Sequence, residues 1–105
     1  MTMTTAKEAL LEVLRETRVL LEQPDNDFNG SSWNGMAAAL AEVDGFIAAI
    51  EAEHPFDRLK LTILFAPTGN IQEVSASSGW GDEFCRLAER FDQAFEAYEK
   101  LRKQG

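Results

Sequence analysis

The chain has 105 residues, of which 45% are hydrophobic and 27% charged, and its formal net charge is −8. This composition is typical of one globular domain with a modest core, and it excludes an intrinsically disordered chain. No apolar run approaches the roughly 20 residues that a membrane span requires, and the single cysteine excludes an internal disulfide. The polar N-terminal segment has no signal-peptide pattern, so we expect a cytoplasmic protein.

The negative charge is concentrated in the middle third of the sequence. Eight acidic residues and no Lys or Arg lie between positions 19 and 57, whereas the rest of the chain holds ten residues of each sign. Such a field repels the phosphates of nucleic acids and favours a basic partner or a cation. A solvated acidic face that only maintains solubility is the alternative.

A first helix is predicted for residues 5–23. Thr5 and Glu8 fit a capping box, in which each side chain satisfies an unpaired backbone amide. Apolar residues then recur at helical spacing as far as Leu21. Pro24 ends the pattern, because the residue before a proline avoids helical backbone angles. An acidic loop is predicted to follow at residues 24–31.

A second helix is predicted for residues 32–54, with Ser31 or Ser32 available as its N-cap. Its apolar residues recur every three or four positions, and alanine is the commonest residue at its other positions. The apolar face consists of Met36, Leu40, Val43, Ile47 and Ile50. His54 and Pro55 close the helix.

The apolar period then changes from helical to alternating. Leu59, Leu61, Ile63 and Phe65 alternate with other residues, and a turn at 67–70 separates this run from a second one that ends at position 77. These features predict a β-hairpin over residues 58–77. Its open edges offer a route to a homodimer.

A last helix is predicted for residues 81–103. Its apolar face is largely aromatic and is expected to form core. That face consists of Phe84, Leu87, Ala88, Phe91, Phe95, Tyr98 and Leu101. The complete prediction is one α+β domain, residues 1–105, in which three helices pack on a two-stranded antiparallel β-hairpin in the order α-α-β-β-α.

The loop PDNDFNGSSWNG partly matches the calcium loop of an EF-hand. Asp25, Asp27 and Asn29 place oxygen ligands at the required spacing, and Gly30 permits the sharp turn. However, Met36 stands where a bidentate glutamate is needed. One interpretation is therefore a weak calcium site at Asp25, Asp27 and Asn29. The other is a turn in which Asp and Asn side chains bond to their own backbone.

The same acidic region is the predicted contact for a protein partner with a basic surface. Trp33 is the predicted anchor, because tryptophan is enriched at binding hot spots. Packing of Trp33 against the core is the alternative. The predicted partner-binding residues are Asp25, Asp27, Trp33, Glu42, Glu51 and Glu53.

Sequence signatures of catalysis are absent. The chain has one histidine, no phosphate-binding or dinucleotide-binding glycine motif, no H-E-x-x-H and no nucleophile elbow. We therefore predict a non-enzymatic protein without a cofactor, and neither nucleic acid nor a membrane as a partner. A small-ligand or enzymatic domain with a pocket beside Trp80 and Cys85 is the remaining alternative.

Two segments, PDNDFNGSSW and LFAPTGNIQEVSASSGWGDEF, resemble a family of small bacterial proteins classified as a domain of unknown function. The resemblance covers most of residues 20–95. It implies a bacterial origin and this compact fold, but no activity and no catalytic residue. Immunity proteins that neutralise bacterial toxins are frequently acidic proteins of this size. By that analogy, an inhibitory, immunity-like role is the specific form of the binding hypothesis.

Overall fold

The computed structural model describes residues 2–104 and contains five helices in that range. They are α1 (Met3–Leu21), α2 (Met36–Glu51), α3 (Arg58–Leu64), α4 (Asn70–Ser78) and α5 (Gly81–Gln104). Helix α1 packs against both α2 and α5, and α4 packs against α5. The described residues contain no β-strand. The predicted α+β fold with a hairpin at 58–77 is therefore wrong, and the described chain is all-helical.

The segment predicted as the first strand forms the short helix α3. Its buried residues stand three and four positions apart, as they do on one face of a helix: Leu61, Leu64 and Phe65. Leu59 and Ile63, which the alternating pattern placed on the buried face of a strand, are exposed. Leu61 and Phe65 fit either period, whereas the burial of Leu64 and the exposure of Leu59 and Ile63 fit only the helix.

The segment predicted as the second strand forms α4, in which Ile71, Val74 and Ser75 are buried. These positions also follow helical spacing. A lone two-stranded hairpin is marginal in water, whereas α4 buries one face against α5. The strand edge through which a homodimer was expected is consequently absent from residues 2–104.

Local backbone signals fix where α3 begins and where α4 ends. The Oδ1 atom of Asp57 accepts a hydrogen bond of 2.9 Å from the backbone N–H of Lys60, as an N-cap does. Gly79 ends α4 in the left-handed region with a φ of 86°, and the N–H of Trp80 donates to the carbonyl oxygen of Ser75. The chain can then turn directly into α5.

One hydrophobic core joins all five helices. Phe91 of α5 is buried in this core, and its ring stacks on that of Phe65 at a centroid distance of 4.2 Å and on that of Phe95 at 5.2 Å. The aromatic face predicted for the last helix is therefore largely core.

The described chain measures 41 × 24 × 20 Å. Between residues 2 and 104, no helix is both long enough and apolar enough to cross a membrane.

Candidate binding surface

The acidic loop between α1 and α2 is tied down at its beginning by Asn26. The side-chain Nδ2 of Asn26 donates to the carbonyl oxygen of Leu20 at 2.8 Å, and its Oδ1 accepts from Nε1 of Trp80 at 2.9 Å. The backbone N–H of Asp27 donates to Oγ of Ser78 at 2.9 Å. The loop is thereby fixed to the end of α1 and to the α4–α5 junction.

The second half of the loop lies along α4. Ser32 and Asn70 exchange two hydrogen bonds: the Ser32 backbone N–H donates to Oδ1 of Asn70 at 3.0 Å, and Nδ2 of Asn70 donates to Oγ of Ser32 at 2.6 Å. Gly30 passes so close to α4 that a methyl group added to it would lie 3.3 Å from Oε2 of Glu73. The loop is thus bonded to the first residue of α4 through Ser32 and to the last residue of α4 through Asp27, and these contacts hold it in one position.

The approach at Gly30 places the carboxylate of Glu73 beside the loop that carries Asp25 and Asp27, and we call these three residues the acidic loop surface. All three residues are exposed, and none forms a salt bridge within the described residues. The sequence prediction missed Glu73, because its proximity to the loop depends on a helix in a segment that was predicted as a strand.

Two other predicted contact residues are engaged in ion pairs with bases from outside the acidic stretch. Oε2 of Glu51 lies 2.7 Å from Nη2 of Arg15, and Oε1 of Glu42 lies 3.7 Å from Nζ of Lys60. Exposed pairs of this kind contribute little to stability, about 0–1 kcal/mol each. They do reduce the negative field that Glu42 and Glu51 present to a partner.

Arg18 of α1 neutralises two further acids of the same stretch. Its Nε lies 2.5 Å from Oδ1 of Asp44, and its Nη1 lies 2.6 Å from Oε1 of Glu22. The hydrogen bond from Arg18 holds the pKa of Asp44 below its usual value. Four of the eight acids between positions 19 and 57 are thus paired, so the charge concentrated in the sequence is partly cancelled in space.

Glu53 is exposed but lies far from the acidic loop. It follows α2 at the end opposite to the loop, and the 16 residues of α2 span about 24 Å at 1.5 Å per residue. Its φ of 57° lies in the left-handed region, which is uncommon for a residue with a side chain. The structure therefore brings Asp25 and Asp27 together and separates both from Glu51 and Glu53.

Trp33 belongs to the core. Only 8% of the residue is exposed, and its Nε1 is buried without a hydrogen-bond partner. This placement corresponds to the alternative in which Trp33 packs the loop against the core, and it leaves little of the residue exposed to a partner. Trp33 is therefore not part of the acidic loop surface.

The turn at Asp27 has the geometry of an Asx turn. The backbone N–H of Asn29 donates to Oδ1 of Asp27 at 2.9 Å. Within residues 2–104, no three His, Cys, Asp or Glu side chains lie close enough together to hold a metal ion. Calcium binding by Asp25, Asp27 and Asn29 stays a prediction from the sequence.

Trp80 and Cys85 occupy different environments. Trp80 is buried and bonded to Asn26, as described above, whereas Cys85 is exposed on α5. Because the Trp80 side chain is buried while Cys85 faces solvent, the small-ligand alternative at this place gains no support from the geometry.

Comparison with known protein families, with curated proteins and with solved structures finds no match to this chain. The resemblance to a bacterial family of unknown function stays a prediction from the sequence.

Proposed function

We propose that this chain is a non-enzymatic, cytoplasmic bacterial protein that binds a partner with a basic surface. The observation that carries the proposal is the acidic loop surface, in which Asp25, Asp27 and Glu73 are exposed and form no ion pair within residues 2–104. Because the partner supplies the compensating charge, electrostatic attraction accelerates the encounter and selects against acidic competitors.

The rigidity of the loop supports this role. Binding orders flexible side chains and loops at a cost, so a loop that is already fixed in the free protein binds more tightly than a mobile one. Asn26 and the Ser32–Asn70 pair supply this order before any partner arrives. An inhibitory, immunity-like role is the specific form that we propose, by the analogy of size and charge given above.

The test is affinity capture from a native lysate at low and at high salt, followed by mass spectrometry. The wild type is compared with a triple variant, Asp25→Asn, Asp27→Asn and Glu73→Gln, which removes three charges while retaining similar shapes. We expect a basic protein that the wild type captures at low salt, and that is lost at high salt and in the triple variant.

A matched control variant removes the same charge from another exposed surface of the chain. It carries Glu89→Gln, Asp92→Asn and Glu96→Gln. The three native residues lie on the exposed face of α5 and form no salt bridge within residues 2–104. This control should retain the partner. Equal loss of the partner in both triple variants would mean that net charge, and not the acidic loop surface, determines capture.

A further inference from the structure

A surface cavity of about 340 Å³ lies at the end of the molecule opposite to the acidic loop. The N-terminal end of α1, the segment that follows α2, the first residue of α3 and the last turns of α5 enclose it. Its lining residues are Met3, Glu53, His54, Pro55, Arg58, Tyr98 and Arg102. In a chain with a net charge of −8, a cavity lined by two arginines, a histidine and a tyrosine is a local exception.

The two guanidinium groups are held in place by one carboxylate. Nε of Arg58 donates to Oε1 of Glu99 at 2.6 Å, and Nη2 of Arg102 donates to Oε2 of the same residue at 3.1 Å. Only 18% of the Glu99 side chain is exposed. Arg58 is fixed further because its guanidinium carbon lies 4.6 Å from the ring centroid of Phe56.

Each guanidinium retains donors that these contacts do not use. Arg58 donates through Nε to Glu99 and through Nη1 to the carbonyl oxygen of Phe56, and Arg102 donates through Nε and Nη2 to Glu99. Nη2 of Arg58 and Nη1 of Arg102 therefore have no acceptor among the described residues. The hydroxyl of Tyr98 and the imidazole of His54 also form no hydrogen bond in that part of the chain.

We propose that this cavity binds a small oxyanion, either a phosphate or a carboxylate group. Two fixed guanidinium groups with unused N–H donors match the several acceptor oxygens of such an anion. The Tyr98 hydroxyl offers a further donor that carries no charge. Glu99 orients both arginines before the anion arrives, so little side-chain freedom is lost on binding.

The acidic member of the lining, Glu53, opposes the anion and provides a second way to test the site. Its carboxylate forms no salt bridge within residues 2–104. Removing this charge should strengthen anion binding, whereas removing Arg102 should weaken it. Two substitutions that change the affinity in opposite directions distinguish a site from general loss of structure.

The experiment is an NMR titration of the full chain with inorganic phosphate and, separately, with acetate, each at an ionic strength held constant with chloride. We expect saturable shifts confined to the amides of residues 53–58 and 98–102. Phosphate binding tighter than acetate identifies a phosphate-bearing ligand, and the reverse order identifies a carboxylate. Shifts spread over all basic residues, or no saturation with either anion, would overturn the proposal.

Three variants complete the test. Arg102→Gln should weaken binding roughly tenfold, the usual effect of losing one charge-assisted hydrogen bond, and Glu53→Gln should strengthen it several-fold. Lys103→Gln removes the same charge from the neighbouring exposed residue, which does not line the cavity, and should leave the affinity nearly unchanged. Equal losses for Arg102→Gln and Lys103→Gln would show that the Arg58–Glu99–Arg102 cluster only bridges α3 and α5.

Discussion

Nε1 of Trp80 donates a hydrogen bond of 2.9 Å to Oδ1 of Asn26, across 54 residues of sequence. Asn26 in turn donates to the last turn of α1 through its Nδ2. One side chain thus joins the acidic loop, the end of α1 and the junction between α4 and α5. This bond is one of the contacts that fix the acidic loop to the rest of the molecule.

The two tryptophans allow the contribution of that bond to be measured. Both are buried: Trp80 is 4% exposed and Trp33 is 8% exposed. Of the two, only Trp80 has a hydrogen-bond acceptor for its Nε1 within the described residues. Trp80→Phe should therefore cost about 1 kcal/mol more free energy of unfolding than Trp33→Phe, because it leaves Oδ1 of Asn26 unpaired. Urea unfolding followed by circular dichroism measures both losses.

A double-mutant cycle separates the hydrogen bond from the lost ring volume. Trp80→Phe and Asn26→Ala, measured singly and together, should show a coupling energy of about 1 kcal/mol. Trp33→Phe combined with Asn26→Ala provides the control and should be nearly additive. A coupling near zero for the Trp80 pair would show that the bond does not stabilise the loop.

Gly69 stands where the chain between α3 and α4 passes against the end of α3. A methyl group added there would overlap the carbonyl oxygen of Ile63 and would lie 2.8 Å from that of Leu64. Backbone oxygens cannot move without displacing α3, so Gly69→Ala should lower the free energy of unfolding by about 1–3 kcal/mol. Thermal and urea unfolding measure this change.

Gly45 provides the opposite case in the same chain. It is exposed within α2, and an added methyl group would meet no atom within 4 Å. Gly45→Ala should therefore raise the free energy of unfolding by about 0.5–1 kcal/mol, because alanine favours the helix and restricts the unfolded chain. Stabilisation by both substitutions would show that the close approach at Gly69 is absent in solution.

The sequence indicates where the long helices lie more clearly than what lies between them. The faces of α1, α2 and α5 extend over four or more turns, so their period is unambiguous. Helix α3 has seven residues, and its apolar residues fit both a helical and an alternating period. The N-cap at Asp57 is the local signal for a helix, whereas the alternation of Leu59, Leu61 and Ile63 indicates a strand.

The acidic surface was only partly predictable for a different reason. The positions of Asp25 and Asp27 in a loop follow from the sequence, because Pro24 ends α1 just before them. Pairing of Glu51 with Arg15, and of Asp44 with Arg18, depends on how α1 packs against α2. No local sequence pattern reveals these ion pairs. The net charge of residues 19–57 therefore overestimates the negative field at the protein surface.

Glu53 occupies a position at which glycine is the usual residue. It lies at the C-terminal end of α2 with a φ of 57°, and the N–H of His54 donates to the carbonyl oxygen of Ala49, as in a Schellman motif. Glu53→Gly should raise the free energy of unfolding by about 0.5–1 kcal/mol, because it removes the left-handed strain. Glu53→Ala removes the charge and retains the strain, so a similar gain from both would assign the effect to charge.

Glu99 should give the unfolding free energy a measurable dependence on acidic pH. Burial alone would raise the pKa of Glu99, but hydrogen bonds from Arg102 and Arg58 outweigh burial and hold the pKa below its usual value. The unfolded chain then binds the proton more tightly than the folded chain does. The contribution of Glu99 is therefore fully present above the unfolded-state pKa and is lost as the pH falls through the folded-state pKa.

Substitution of Glu99 isolates its share of this pH dependence. Glu99→Gln should lower the free energy of unfolding by about 1–3 kcal/mol near neutral pH, because two guanidinium groups lose a charged acceptor. The difference from the wild type should shrink as the pH falls below about 4, the range in which a free glutamate takes up its proton. Urea unfolding between pH 3 and pH 7 measures the free energy of unfolding of the wild type and of Glu99→Gln. Glu89→Gln, at an exposed position, is the control for a change of charge alone. A difference that stays constant across this range would mean that the Arg58–Glu99–Arg102 cluster does not set the acid sensitivity of the fold.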